Sequence, residues 1–319
     1  MTSLVPIPQS GLPSRLQADI DRAVEFAKLE KSPATRRAYR SDVAIFRSWC
    51  DSRGVSALPA LPETVAAFLA SEAERGITPS TIARRVAAIR YAHKLAGHLV
   101  PTEDERVKAT VRGHRRAVGT APRKKAPATA ERIIAMAMVP GTRMKDLRDR
   151  ALLLLGFAGA FRRSELVALD VADLEETDAG LKITIRKSKT DQDGLGCTIA
   201  IVRGSIACPV AALKTWLDAA EITTGPMFRS VRKGGKKVGG RLSDHSAAAV
   251  VKAHAKRVGL DPALFAGHSL RAGFLTSAAS RGASILKMMD VSRHRSVDTL
   301  RGYVRDAEIF KDHAGTGLL

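Results

Sequence analysis

In the first third of the chain, apolar positions return at helical spacing and charged positions fill the gaps. Tyr39, Val43, Phe46 and Cys50 make one stripe, with Arg37, Arg40 and Arg47 on the opposite face. Ser32-Pro33 ahead of it is a capping residue followed by a proline suited to a first helical turn. A second helix is predicted from Pro62-Glu63, burying Val65, Phe68 and Leu69 and stopping at Gly76. A third starts at Thr78-Pro79-Ser80, buries Ile82, Val86, Ile89 and His93, turns Arg84 outward and stops at Gly97. Short loops between helices of this length imply a compact antiparallel bundle.

From about Ala128 the pattern changes. Leu147–Phe161 reads as a buried helix. Leu181–Arg186 alternates as a half-buried strand does, and Gly196–Val202 can return beside it, with Ser188–Leu195 as the turn. Helices resume at Val210–Ala220 and Ser243–Val258, and no repeat recurs at a fixed period. The expectation is a mainly α protein. A loose arm covers residues 1–14, a helical bundle 15–118 and a linker 119–127. Residues 128–319 form a helical domain with a small antiparallel sheet.

Composition adds a partner to this outline. A chain of 319 residues suits two domains, and 45% hydrophobic content gives each a core. Aromatics make up only 4%, so aliphatic side chains fill those cores, which favours helix. The net charge is +20. Residues 1–127 hold 22 basic and 12 acidic residues, and residues 128–319 hold 30 and 20, so the two halves share the excess equally. That distribution points to nucleic acid lying along both domains. Arg106–Lys125 has eight basic residues and no acidic one, and its second half reads as a linker crossing a phosphate backbone. Three cysteines without a C-x-x-C pair suit reduced thiols. Met1–Ser10 lacks the charge and apolar run of a signal peptide, and Ala151–Phe161 is too short to span a bilayer. The expected location is the cytoplasm.

Several chemistries lack their motifs. There is no phosphate-binding G-x-x-x-x-G-K-[ST] loop, no H-E-x-x-H or clustered Cys/His set, and no G-x-S-x-G elbow. Neither cofactor nor metal is expected. Phosphodiester cleavage would then fall to side chains. Guanidinium groups suit the anionic transition state, a phenol can attack and later leave, and a lysine can protonate the leaving oxygen. Such groups occur in order. Arg162 stands in Arg162-Arg163-Ser164-Glu165-Leu166, and Lys189 in Lys187-Ser188-Lys189-Thr190. His268 and Arg271 form His268-Ser269-Leu270-Arg271. His294 follows, and Tyr303, one of three tyrosines, lies nine residues later.

This order resembles the phage-integrase, or tyrosine recombinase, family: Arg, Lys, His-x-x-Arg, His or Trp, then Tyr. Upstream, Thr35–Tyr39, Phe46 to Trp49-Cys50, and Thr81-Ile82 with the following Gly97 resemble the core-binding domain of Cre-like two-domain members. Phe228–Lys233 resembles the approach to a DNA-reading helix. The resemblance implies that Tyr303 attacks a scissile phosphate to give a 3′-phosphotyrosyl link. Arg162 and Arg271 would hold the non-bridging oxygens, and His294 would donate to the same phosphate. Lys189 would protonate the 5′-oxygen, His268 would assist proton movement, and Glu165 would orient the site. Lys187 stays open as an alternative to Lys189. Two departures stand out: Arg293 occupies a position where many relatives have glycine, and Gly302 directly precedes the nucleophile.

Implied partners are double-stranded DNA with paired inverted half-sites and three further copies of the chain. The resulting tetramer would work on two sites, linked through the C-terminal helix that carries Ala307, Ile309 and Phe310. DNA-contact candidates are Arg36, Arg37 and Arg40, Arg84 and Arg85, and the stretch of Arg241, Ser243 and His245. A type IB topoisomerase and a catalytically silent DNA-binding protein remain as rival readings; the shortage of stacking aromatics counts against an RNA scaffold.

Overall fold

The computed structural model describes residues 14–120, 125–188, 191, 194–232, 234, 238–307 and 315–316. The chain divides into two compact units, Met1–Pro122 and Arg123–Leu319.

The first unit is a helical bundle: α1 (Ser14–Leu29), α2 (Pro33–Asp51), α3 (Pro62–Glu74), α4 (Pro79–Leu95) and α5 (Glu105–Val118). Local signals set the starts. The Ser32 and Thr78 side chains accept from the Thr35 and Thr81 amides, each ahead of a first-turn proline. Phe46, Cys50, Val65, Phe68, Leu69, Ile82, Ile89 and Val107 form the core. Helix α5 occupies much of the basic stretch after Asp104. It anchors through the buried Val107 and the half-buried Val111, while Arg112, Arg115 and Arg116 stay outside.

The second unit opens on α6 (Ala130–Ala137), α7 (Met144–Ala158) and α8 (Arg163–Ala168). Strands β1 (Leu174–Thr177), β2 (Gly180–Ile185) and β3 (Cys197–Val202) form an antiparallel sheet in the order β1-β2-β3. Then come α9 (Pro209–Ala219), a separate hairpin of β4 (Arg229–Val231) and β5 (Val238–Arg241), α10 (Asp244–Arg257), α11 (His268–Ser280), α12 (Ile285–Ser292) and α13 (Val297–Ala307). Ile183 faces Ile199 across the sheet, and both side chains are buried against the helices. Helix α7 is buried nearly all round, as a central helix must be.

Two contacts fix α11, which carries two of the candidate site residues. The Ala128 amide donates to the Ser269 carbonyl at 2.9 Å. Gly273 lies so close to Ala128 that an added Cβ would stand 1.8 Å from its carbonyl oxygen. Residues just upstream also tie to this unit: the Ala126 amide donates to Leu264 O at 2.8 Å, and Lys125 Nζ to Ala263 O at 2.7 Å. The ordered tie-down therefore reaches into the expected 119–127 linker. The β4–β5 hairpin and β1 escaped the periodicity because neither alternates; β1 is Leu-Glu-Glu-Thr and becomes a strand by pairing with β2.

Candidate active site

The turn between α7 and α8 lays the foundation. Ala160 holds φ at +45°, a conformation that L-residues seldom adopt. The turn buries Phe161 and leaves Arg162 capping α8. Glu165 closes back on it: Oε2 accepts from the Arg162 amide at 2.9 Å, and Oε1 accepts from Arg162 Nη1 at 2.5 Å. The Glu165 side chain is 2% exposed, Arg162 15% and the neighbouring Arg163 51%, so Arg162 and not Arg163 enters the site.

Helix α11 supplies the next two groups. His268 is its exposed first residue. Arg271, one turn on, is buried; its Nη1 donates to Ala160 O at 2.8 Å, and its Nη2 lies 3.1 Å from His294 Nε2. Burial, then Arg162 and Arg293, pull its guanidinium down to about 9, still charged at neutral pH. His294 follows the α12 C-cap. Ser292 Oγ donates to Met288 O at 2.6 Å and lies 2.8 Å from His294 Nδ1. With its own proton spent, that hydroxyl accepts from Nδ1–H. Burial, then the charges of Arg271, Arg162, His268 and Arg293, depress His294 to about 4, so the ring is neutral at pH 7.

Tyr303 lies within α13, which runs unbroken through Gly302. Its ring is half-buried against Leu275, Ala279, Met288 and Leu300, within electrostatic reach of Arg271. Helix α13 packs on α11, so the phenol shares a support with Arg271.

Lys189 lies outside the described residues; Lys187 is exposed at the end of β2. The turn beyond it is organised by Asp191, whose carboxylate accepts from the amides of Gly194 and Leu195 at 3.1 Å and Gly196 at 2.8 Å. Ile309 and Phe310 also lie outside the described residues.

One site residue was not singled out by the motif. Arg293, the α12 C-cap, adopts φ +59°, which explains why glycine suits this position. Its side chain is 7% exposed and runs back into the site. Nη2 donates to Glu165 Oε2 at 2.8 Å and Ala160 O at 3.1 Å, Nη1 donates to Gly159 O at 3.0 Å, and the guanidinium covers the Phe161 ring. Burial works to raise the Glu165 carboxyl, but Arg293 and then Arg162 outweigh it, leaving it below its ordinary value. Burial lowers Arg293 more than Glu165 supports it, yet a guanidinium starts so far above neutrality that both groups stay charged. The only sequence signal was the departure from glycine.

Among the DNA-contact candidates, Arg37, Arg40, Ser243 and His245 are exposed and Arg36 is half-buried. Arg85 is corrected: it is 8% exposed and engaged with the buried carboxylates of Glu72 and Asp42, so it serves the core of the bundle. The adjacent Arg84 is outward but grips Asp42 with two nitrogens, at 2.8 and 3.1 Å. Arg241 is exposed but also braces the fold: it donates to Val167 O at 2.8 Å and to Asp170 at 2.5 Å. Ser243 Oγ caps α10 by accepting from the Ser246 amide.

The phage integrase family model matches residues 127–308, and the model of the N-terminal SAM-like domain of phage integrases matches residues 24–98. The chain belongs to the phage integrase family. Membership makes it a tyrosine recombinase, an enzyme that cleaves and rejoins DNA. It is 42% identical over 295 residues to an integrase/recombinase XerD homologue of Selenomonas ruminantium, covering 90% of this chain and 86% of that one. With the tyrosine recombinase XerD of Bifidobacterium longum it shares 30% identity over 278 residues, covering 85% and 86%. Its fold is similar to that of the XerH site-specific recombinase bound to palindromic difH (TM-score 0.63, 13% identity, 88% of this chain and 79% of that one). It is also similar to a lambda integrase fragment solved as a dimer on a core site (TM-score 0.62, 18% identity, 93% and 98%). Among the described residues no helix is long and apolar enough to cross a membrane, and no His/Cys/Asp/Glu group could hold a metal.

Proposed function

We propose that this recombinase cuts each strand by attack of Tyr303 on the scissile phosphate, forming a 3′-phosphotyrosyl link and a free 5′-hydroxyl. Arg162 and Arg271 hold the non-bridging oxygens, two planar donors against charge that grows in the transition state. His294 supplies a third donor to the phosphate. His268 assists proton movement near the phenol, and Lys189 protonates the 5′-oxygen. Glu165 holds Arg162 in place. The covalent link conserves the bond energy, so strands rejoin without ATP. Four copies, joined through their C-terminal helices, exchange strands in two steps through a Holliday junction between two sites with inverted half-sites. Arg36, Arg37, Arg40, Ser243 and His245 face DNA in this reading, and the protein works in the cytoplasm on the nucleoid.

The observation that carries this reading is the convergence of Arg162, Arg271 and His294 from three separate chain segments. Arg271 contacts His294, and it shares the Ala160 turn with the Arg162 segment. The test is adduct trapping. The protein and a Tyr303→Phe variant are incubated with end-labelled, nicked DNA from the flanks of its gene and run on denaturing gels. A 3′-linked adduct that disappears in the variant is expected. Tight binding with no adduct would overturn the reading in favour of a silent DNA-binding relative. Relaxation of plasmid lacking the trapped site would favour a topoisomerase.

A further inference from the structure

We infer that Arg293 is a positioning residue: by taking one oxygen of Glu165 it leaves the Arg162 guanidinium on a single-nitrogen contact, available to the phosphate. This rests on the proposed role of Arg162. The carboxylate of Glu165 is shared unevenly. Oε1 receives Arg162 Nη1, whereas Oε2 receives both the Arg162 amide and Arg293 Nη2. A buried carboxylate facing one guanidinium alone favours the two-bond, coplanar pairing, which would take a second Arg162 nitrogen out of use. Arg293 occupies the place where that second bond would form.

The same side chain braces the turn that presents Arg162. Its two terminal nitrogens bind the carbonyls of Gly159 and Ala160, and the Ala160 carbonyl also receives Arg271 Nη1 at 2.8 Å. Two guanidiniums thus hold a turn whose central residue sits at φ +45°. Arg293 is contributed by the segment directly ahead of His294 and α13, so it ties the nucleophile-bearing end of the chain to the Arg162 turn. A residue at φ +59° pays a backbone penalty that glycine would avoid. Four hydrogen-bonding contacts by a 7% exposed side chain offset it.

The test uses the full chain and single-turnover cleavage of nicked site DNA. Arg293→Gly suits the left-handed backbone and removes only the side chain. It is expected to bind the site within about threefold of the unaltered protein and to cleave about 10- to 100-fold more slowly, less than the about 10²- to 10³-fold loss of a whole preorganised donor because the Arg162 charge stays in the site. In an Arg162→Ala background the same substitution is expected to cost less than threefold, because its effect runs through Arg162. Equal losses in both backgrounds, or no loss in either, would overturn the inference. Arg293→Lys keeps the charge without the fork and should fall between the two; full cleavage by it would also overturn the inference. Side-chain NMR of the DNA-free protein separates this idea from the reaction itself. Guanidinium rotation of Arg162 should slow in Arg293→Gly, as the two-bond pair with Glu165 forms. Unchanged rotation defeats the inference whether or not the protein cuts DNA, and absence of any adduct from the unaltered protein counts only against the proposed function.

Discussion

Arg271 Nη2 lies 3.1 Å from His294 Nε2 and 3.3 Å from Nδ1; a guanidinium can only donate, and the nearer ring nitrogen is its better acceptor. The other ring nitrogen donates to Ser292 Oγ. The resting imidazole is therefore neutral with its proton on Nδ1. In the proposed mechanism an anionic phosphate would compete for Arg271 and supply the negative charge that favours a proton on Nε2. Arg271 and His294 would thus hand over to the phosphate together.

Replacing either Arg162 or Arg271 by alanine should slow single-turnover cleavage by about 10²- to 10³-fold, the loss seen when one preorganised donor to a developing oxyanion is removed. Gel shift at fixed salt should show a much smaller loss of site affinity, since a chain of net charge +20 has many other cations to offer the duplex. Equal losses in binding and cleavage would show that these arginines act in the ground state only.

His294 makes stability depend on pH in a defined direction. Above about pH 6.5, its ordinary value, the ring is neutral in both the folded and unfolded chains and contributes nothing to the difference. As pH falls from there toward about 4, the unfolded chain takes up a proton that the folded one refuses, so stability declines. Below that range both states are protonated and this contribution levels off. Urea midpoints recorded from pH 7 to 4 should fall less steeply in His294→Gln than in the unaltered protein; parallel curves would contradict the depressed value.

Two arginines of the helical bundle, Arg85 on α4 and Arg37 on α2, should behave oppositely. Arg85→Ala removes the buried guanidinium from between Glu72 and Asp42 and leaves those carboxylates to Arg75 and Arg84, a change expected to cost about 1–3 kcal/mol of stability. On α2, exposed Arg37→Ala should stay within about 0.5 kcal/mol. It should instead weaken DNA binding and reduce its salt slope by about one. Chemical denaturation and salt-titrated binding together distinguish the two.

Gly273→Ala should destabilise by about 1–3 kcal/mol or more, because the new methyl meets the Ala128 main chain rather than a side chain that can turn away. Cleavage should fall as well, since α11 carries His268 and Arg271. Thermal melts and adduct yield on the same preparation provide the measurement; an unchanged melt would show that the α11–Ala128 contact has room for a methyl group.

The α2 and α4 starts and the family motif were legible in the chain. Each is local: a cap, a proline, a run of apolar side chains at one period, or a short motif. What local pattern could not decide is which of two neighbouring like residues turns inward. Arg162 rather than Arg163 enters the site because Ala160 bends the chain and Glu165 is buried behind it. Arg85 rather than Arg84 is buried because Glu72, on a different helix, waits for it. Arg241 also braces the fold because Asp170, seventy-one positions away, faces it. Arg293 was visible only as an oddity beside a histidine; its meaning depends on a turn more than a hundred residues earlier. Periodicity and motif report what a residue is and where it falls on its own element. The partner that satisfies a buried charge comes from elsewhere in the chain, and only the tertiary fold brings it there.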